Sequence, residues 1–173
     1  MTNVLSEEAI NLHLEYLRSL KLRYSILEKS ITGIKNKTPI EISRQKMKTK
    51  DKSDTLYLLG EVILHDVFFS SFGPSEYRSS DIVRSSYGSE AMLFHRLFSE
   101  GMKTPYGFLA IYSDGEKICT ASSCDFLKLT LPKTPDLAID LCEHAYFSDY
   151  GFDKEKYLLT AISHLDLSRL SKN

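Results

Sequence analysis

The apolar run Leu137-Ala138-Ile139 ends on Asp140, and His144 follows four residues later. A short apolar run bounded by polar residues predicts a buried strand, Leu137 to Asp140, and the polar cluster falls where a strand hands over to a helix. Such a corner is rigid. A carboxylate and an imidazole that leave it together keep a fixed relation and can bind one metal ion. The spacing by itself is common, because an Asp that starts a helix and an ordinary His also satisfy it. The other histidines and the order of the elements narrow the choice.

Ser6 followed by Glu7 and Glu8 reads as a helix start, with a capping hydroxyl and acids at the positive helix end. Ile10, Leu14, Leu17, Leu20 and Leu27 then recur at helical spacing from Ala9 to about Leu27. The polar stretch from Gly33 to Asp54 carries seven basic residues and reads as a solvated hairpin tip rather than an anion site. A second helix is predicted from about Thr55 to Ser71 and is ended by Gly73-Pro74. Ser89 caps a third, from Glu90 to about Gly101. Tyr106 to Tyr112 and Lys117 to Ser123 read as strands joined by a turn at Ser113-Asp114-Gly115. Tyr146 to Ser171 is mostly helical, with a break near Gly151. Helices, then a small antiparallel sheet, then helices make an α+β chain. We divide it into a helical hairpin, residues 1–73, and an α/β half with a three-stranded sheet, residues 74–173.

The length of 173 residues suffices for a core without disulfides. Cys119, Cys124 and Cys142 lack framework spacing and read as reduced thiols of a cytoplasmic protein. A net charge of −1 gives no case for a nucleic-acid or membrane partner. Acidic residues arrive before any apolar stretch at the start, so no export signal is expected.

His13 falls in the first helix and His65 in the second, and a two-helix hairpin can bring both to one point. With Asp140 and His144 they make three imidazoles and one carboxylate. That set is too nitrogen-rich for calcium or magnesium and suits manganese, iron or zinc. An open further position favours redox chemistry at iron or manganese.

Here the chain resembles the iron/manganese superoxide dismutase family. Asp140-Leu141-Cys142-Glu143-His144-Ala145-Tyr146 matches the family's Asp-x-Trp-Glu-His-Ala-Tyr in all but the Trp. Leu5 to His13 is similar to the segment ending on the first metal histidine, and Glu61 to Phe69 to that around the second. Tyr87-Gly88-Ser89 and Pro105 to Leu109 resemble the start of the third helix and the first strand. The resemblance implies a helical hairpin and an α/β half with the metal between them. It implies one iron or manganese ion per subunit, held by His13, His65, Asp140 and His144. It implies a homodimer in which Glu143 bridges to His144 of the partner subunit, and superoxide as substrate, dismuted to oxygen and hydrogen peroxide.

The chain departs from the family around the metal. Phe69, Tyr106, Phe108 and Cys142 stand at Trp positions. The family's funnel His and Tyr, four and eight residues after the first ligand, are Leu17 and Lys21. Lys21 is expected to draw in an anion. Glu61, four residues before His65, replaces a Gln of the iron-type enzymes and leans the metal toward iron. It should point at the metal and, as a carboxylate, accept from solvent there or ligate directly. Glu61 and Lys21 are therefore the candidate catalytic residues. Glu143, Cys142 and Tyr146 are the candidate supports of the ligands and the dimer. The alternative is a divergent enzyme or a non-enzymatic metalloprotein on the same fold, motivated by Leu17, Lys21, Glu61 and Cys142.

Overall fold

The computed structural model describes residues 1, 3–73 and 81–171. Helix α1, Glu7–Ser30, opens on Ser6, whose hydroxyl accepts from the Ala9 amide, with Glu7 and Glu8 in the first turn. Its buried residues Ala9, His13, Leu17 and Leu20 follow one another at intervals of four or three, so a single stripe faces inward. Helix α3, Thr49–Ser70, returns alongside it. Leu17 and Leu20 of α1 pack with Leu58 and Val62 of α3, flanked by Tyr24, Leu27 and Phe69.

The connection between them corrects the expected solvated tip. It holds a short helix α2, Pro39–Ser43, started by a capping box between Thr38 and Glu41 with Pro39 in the first turn. Ile34, Ile42 and Leu56 form a small core beneath it, while Lys35, Lys46, Lys48 and Lys50 stay exposed. Helix α3 begins six residues earlier than Thr55. Its first turns carry no apolar stripe, so periodicity is silent there. They are held instead by Lys52 Nζ on the Ser43 carbonyl and Thr55 Oγ1 on the Asp51 carbonyl.

After α3 the described chain resumes with α4, Asp81–Tyr87, which sequence periodicity did not reveal, and α5, Glu90–Lys103, capped by Ser89. Pro74 and the boundary between the two expected halves lie outside the described residues. The sheet has the order β2-β1-β3 and is antiparallel throughout. Its strands are β1, Phe108–Ser113, β2, Ile118–Ser123, and β3, Leu137–Asp140. Asp114 closes the β1–β2 turn by accepting from the Glu116 and Lys117 amides. A short α6, Phe126–Thr130, starts on Asp125 and was also not foreseen.

Phe108 of β1 lies opposite Asp140 of β3. That register carries the sheet's end to the point where α7, Glu143–Tyr150, begins. Gly151, at φ 57°, ends α7. Helix α8, Lys154–Ser163, and a 3-10 turn, Leu167–Ser171, complete the chain. Val4, Leu5, Leu64 and Phe68 from the N-terminal part share one core with Leu109, Ile139, Leu158 and Leu167. The hairpin therefore docks on the sheet half through apolar surface, and the end of β3 sits at the seam. Among the described residues no helix is long and apolar enough to cross a membrane.

Candidate metal centre

Four side chains converge at that seam. His13 of α1, His65 of α3, Asp140 of β3 and His144 of α7 each offer one donor atom, and the four atoms lie within 4.8 Å of one another. Asp140 Oδ2 is 3.3 Å from His13 Nε2, 3.4 Å from His65 Nε2 and 3.0 Å from His144 Nε2. Donors about 2.1 Å from a shared ion stand roughly 3 to 3.5 Å apart, so these spacings fit one.

Unsatisfied buried atoms at the same point also call for a cation. Among the described residues, Asp140 Oδ2 and both His13 ring nitrogens are buried without a hydrogen-bond partner. A core does not bury a carboxylate oxygen and an imidazole unsatisfied without cost. A cation at the point they share satisfies them together, and three imidazoles with one carboxylate suit a first-row transition ion.

The remaining atoms of the ligands are tied to the fold. His65 Nδ1 donates to the Glu61 carbonyl at 2.8 Å, which leaves Nε2 as the lone-pair nitrogen. Asp140 Oδ1 accepts from the Cys142 amide at 2.9 Å, so only Oδ2 faces the histidines. The Asp140 carbonyl accepts from the Tyr157 hydroxyl at 2.8 Å. Tyr146 stacks on Tyr157 with ring centroids 4.6 Å apart, and so supports Asp140 at one remove. Cys142 takes no part in the donor group; its Sγ accepts from the Gly107 amide at 3.3 Å. Gly107 has φ +106°, and a Cβ there would meet the Ser123 carbonyl oxygen at 2.2 Å, so this approach excludes every side chain. Phe68 and Phe69 lie against His13, and Phe108 edge-on against His65. The Trp positions named above thus keep two aromatic walls in Phe69 and Phe108, while Tyr106 is exposed.

Electrostatics follow burial. Burial would raise the Asp140 carboxyl, but the facing histidines overcome it and hold the group well below the usual carboxylate range. Burial dominates at His65 and pushes its imidazolium down to about 4. At His144 burial also disfavours the charge, yet the closer contact with Asp140 prevails and its pKa rises. The two histidines differ in exposure, 36 % for the His144 side chain against 1 % for His65, and in distance from Asp140 Oδ2, 3.0 Å against 3.4 Å. Burial, helped by the charge of Asp140, pushes the Cys142 thiol up and keeps it neutral.

Of the two candidate catalytic residues, Glu61 lies on α3 one turn before His65 and Lys21 on the outer part of α1. Glu61 is 8 % exposed, yet its carboxylate is not among the four converging donors. Lys21 pairs at the rim: its ammonium is 2.6 Å from Asp66 Oδ1, with both side chains about half exposed, 49% and 50%. The pair neutralises the charge at the helix rim. Leu17 packs into the hairpin core. Glu143 is exposed at the start of α7.

Sequence reasoning missed Tyr16. Its hydroxyl donates to Glu61 Oε1 at 2.6 Å. Its ring lies 4.7 Å from that of His144 and 5.4 Å from that of His65. Burial and then the bond to Glu61 raise its pKa, so it stays a phenol at neutral pH. The available signal was helical: Tyr16 is three residues after His13, on the same face of α1. Attention to the offsets of four and eight residues passed over it.

Compared with known proteins, residues 76–173 match the family model for iron/manganese superoxide dismutases, C-terminal domain. No curated protein matches the chain.

Proposed function

Because the chain belongs to the iron/manganese superoxide dismutase family, we propose that it is a superoxide dismutase with one iron or manganese ion held by His13, His65, Asp140 and His144. The observation that carries this reading is the convergence of these four donors, with buried atoms on His13 and Asp140 that no described protein group satisfies. When bound, the ion supplies one-electron redox chemistry, oxidising one superoxide to oxygen and reducing the next to hydrogen peroxide.

The chain's own residues set the conditions. Phe68, Phe69 and Phe108 cover His13 and His65 and strengthen the charge interactions on that side of the donor group. The Cys142 amide and the Tyr157 hydroxyl fix the Asp140 carboxylate in place. Glu61 adds a buried negative charge beside the centre where an amide would be neutral. Negative charge favours the higher oxidation state, so this chain lowers the potential of the ion it holds. Glu61 leans the choice toward iron.

We further propose a homodimer. His144 and Glu143 are exposed side by side at the start of α7, and Glu143 would bridge to His144 of the partner subunit. Phe147 and Phe152, in edge-on contact at 5.1 Å and well exposed, would be covered by the second copy. The unbridged Cys119, Cys124 and Cys142 suit a cytoplasmic setting.

The test is superoxide dismutation by protein loaded separately with iron and with manganese, with metal occupancy counted in the same samples. Turnover with one ion establishes the enzyme and its metal. Full occupancy without turnover removes the dismutase reading and leaves a divergent metalloprotein on the same fold.

A further inference from the structure

Resting on the metal site proposed above, we propose that Tyr16 is a positioning residue. It ties back the Glu61 carboxylate and keeps it from becoming a fifth ligand. Glu61 precedes His65 by one turn of α3, and its carbonyl is already bonded to the His65 ring. Its side chain also borders an open cavity of about 560 Å³ between α1 and α3, lined in part by Arg23, Tyr57 and Leu58. The carboxylate thus stands in the wall between that cavity and the ligand histidines. A nearly buried carboxylate one turn from a ligand is itself a competent donor for a transition ion, and a four-donor set leaves coordination positions open.

The carboxylate nevertheless stays out of the donor group. The bond that holds it is the Tyr16 hydroxyl donating to Oε1 at 2.6 Å. The phenol is fixed in turn, because its ring lies against His144 and His65. Tyr16 is therefore a wedge as well as a tether: the ring backs onto the imidazoles and the hydroxyl points at the carboxylate. A neutral amide at position 61 would be a poor ligand and would need no tether. Glu61 and Tyr16 belong together as a pair.

The experiment compares iron-loaded wild type, Tyr16→Phe, Glu61→Gln and the double variant, each with occupancy measured. It reads the ferric electron paramagnetic resonance and visible spectra and the affinity for azide. Tyr16→Phe is expected to change the ferric spectra and weaken azide binding by about tenfold or more, the size usual for disturbing a ligand's support. The freed carboxylate then takes the open position. Glu61→Gln and the double variant have no carboxylate to compete for the open position or repel the anion, and are expected to bind azide like each other and at least as tightly as the wild type. A Tyr16→Phe protein with wild-type spectra and azide affinity overturns the proposal. So does a double variant that behaves like Tyr16→Phe, because the effect then belongs to the phenol alone. Wild-type protein that takes up neither iron nor manganese overturns the metal site together with it. The expected spectral change in a loaded protein that fails to dismute superoxide supports the tether and removes only the dismutase reading.

Discussion

The β3–α7 corner and the inward face of α1 both serve the same four donors, but they are held in different ways. At the corner the restraints come largely from backbone. The Cys142 amide fixes Asp140 Oδ1, the Asp140 carbonyl is bonded to Tyr157, and the Leu141 amide donates to the Gly107 carbonyl. On α1 the restraints are side chains placed by helical spacing: His13, Tyr16 and Leu17. Backbone geometry tolerates few sequences, whereas a helix face accepts any set of side chains that packs. The corner accordingly carries the residues on which the family resemblance rests, apart from Cys142, and on α1 the position where that resemblance expects a funnel histidine holds the core residue Leu17.

The contrast can be broken most forcefully at Gly107. Gly107→Ala is expected to destabilise the protein by about 3 kcal/mol, through a left-handed backbone and a collision with the Ser123 carbonyl. Denaturant unfolding would measure it, and a loss below about 1 kcal/mol would show the corner to be softer than described. Next in size, Asp140→Ala should lower metal affinity by about 100-fold or more, read by competition with a chelator. Unchanged affinity would place the ion elsewhere.

Acid should separate the two regions more gently. In metal-free protein His65 titrates at about 4 instead of 6.5, so between those values the unfolded chain binds a proton that the folded chain does not. Unfolding free energy should therefore fall as pH drops from 6.5 to 4. It should fall again below 3.8, as the depressed Asp140 carboxyl becomes protonated first in the unfolded chain. The raised His144 acts in the opposite sense, adding stability that is lost as pH climbs through its folded value. Thermal melts across pH would follow both limbs, and a flat acid limb would contradict the burial of His65. The smallest effect belongs to the rim. Lys21→Met should change stability by no more than about 0.5 kcal/mol, because the Lys21–Asp66 pair is half exposed. It should leave the rate with superoxide nearly unchanged, and a large loss of rate would return Lys21 to an electrostatic role.

The same contrast explains how much of the molecule was legible in the sequence. Leu137 to Asp140 and the break at Gly151 were readable because an apolar run and a glycine at positive φ are local signals. So was the cap at Ser6. The first turns of α3 were not, because Thr49 to Asp54 carry no apolar stripe and are held by a Lys52 bond to the Ser43 carbonyl outside the helix and a Thr55 bond within it. Helix α6 is too short, at five residues, for periodicity to register. The donor residues could be named from motif and order. The Tyr16–Glu61 bond joins residues 45 positions apart, and it depends on how two helices are rotated against each other. That rotation is a product of packing and not of spacing.

Three of the four donors are sealed in the core, and the fourth, His144, stands at the mouth with 36 % of its side chain exposed. Among the described residues His144 is the donor open to solvent, a door past which an ion would arrive or leave, closing last on loading and opening first on release. In the proposed dimer that door is covered by the second subunit. Metal exchange and subunit separation then become a single kinetic event, and a chelator should strip the protein no faster than its subunits part.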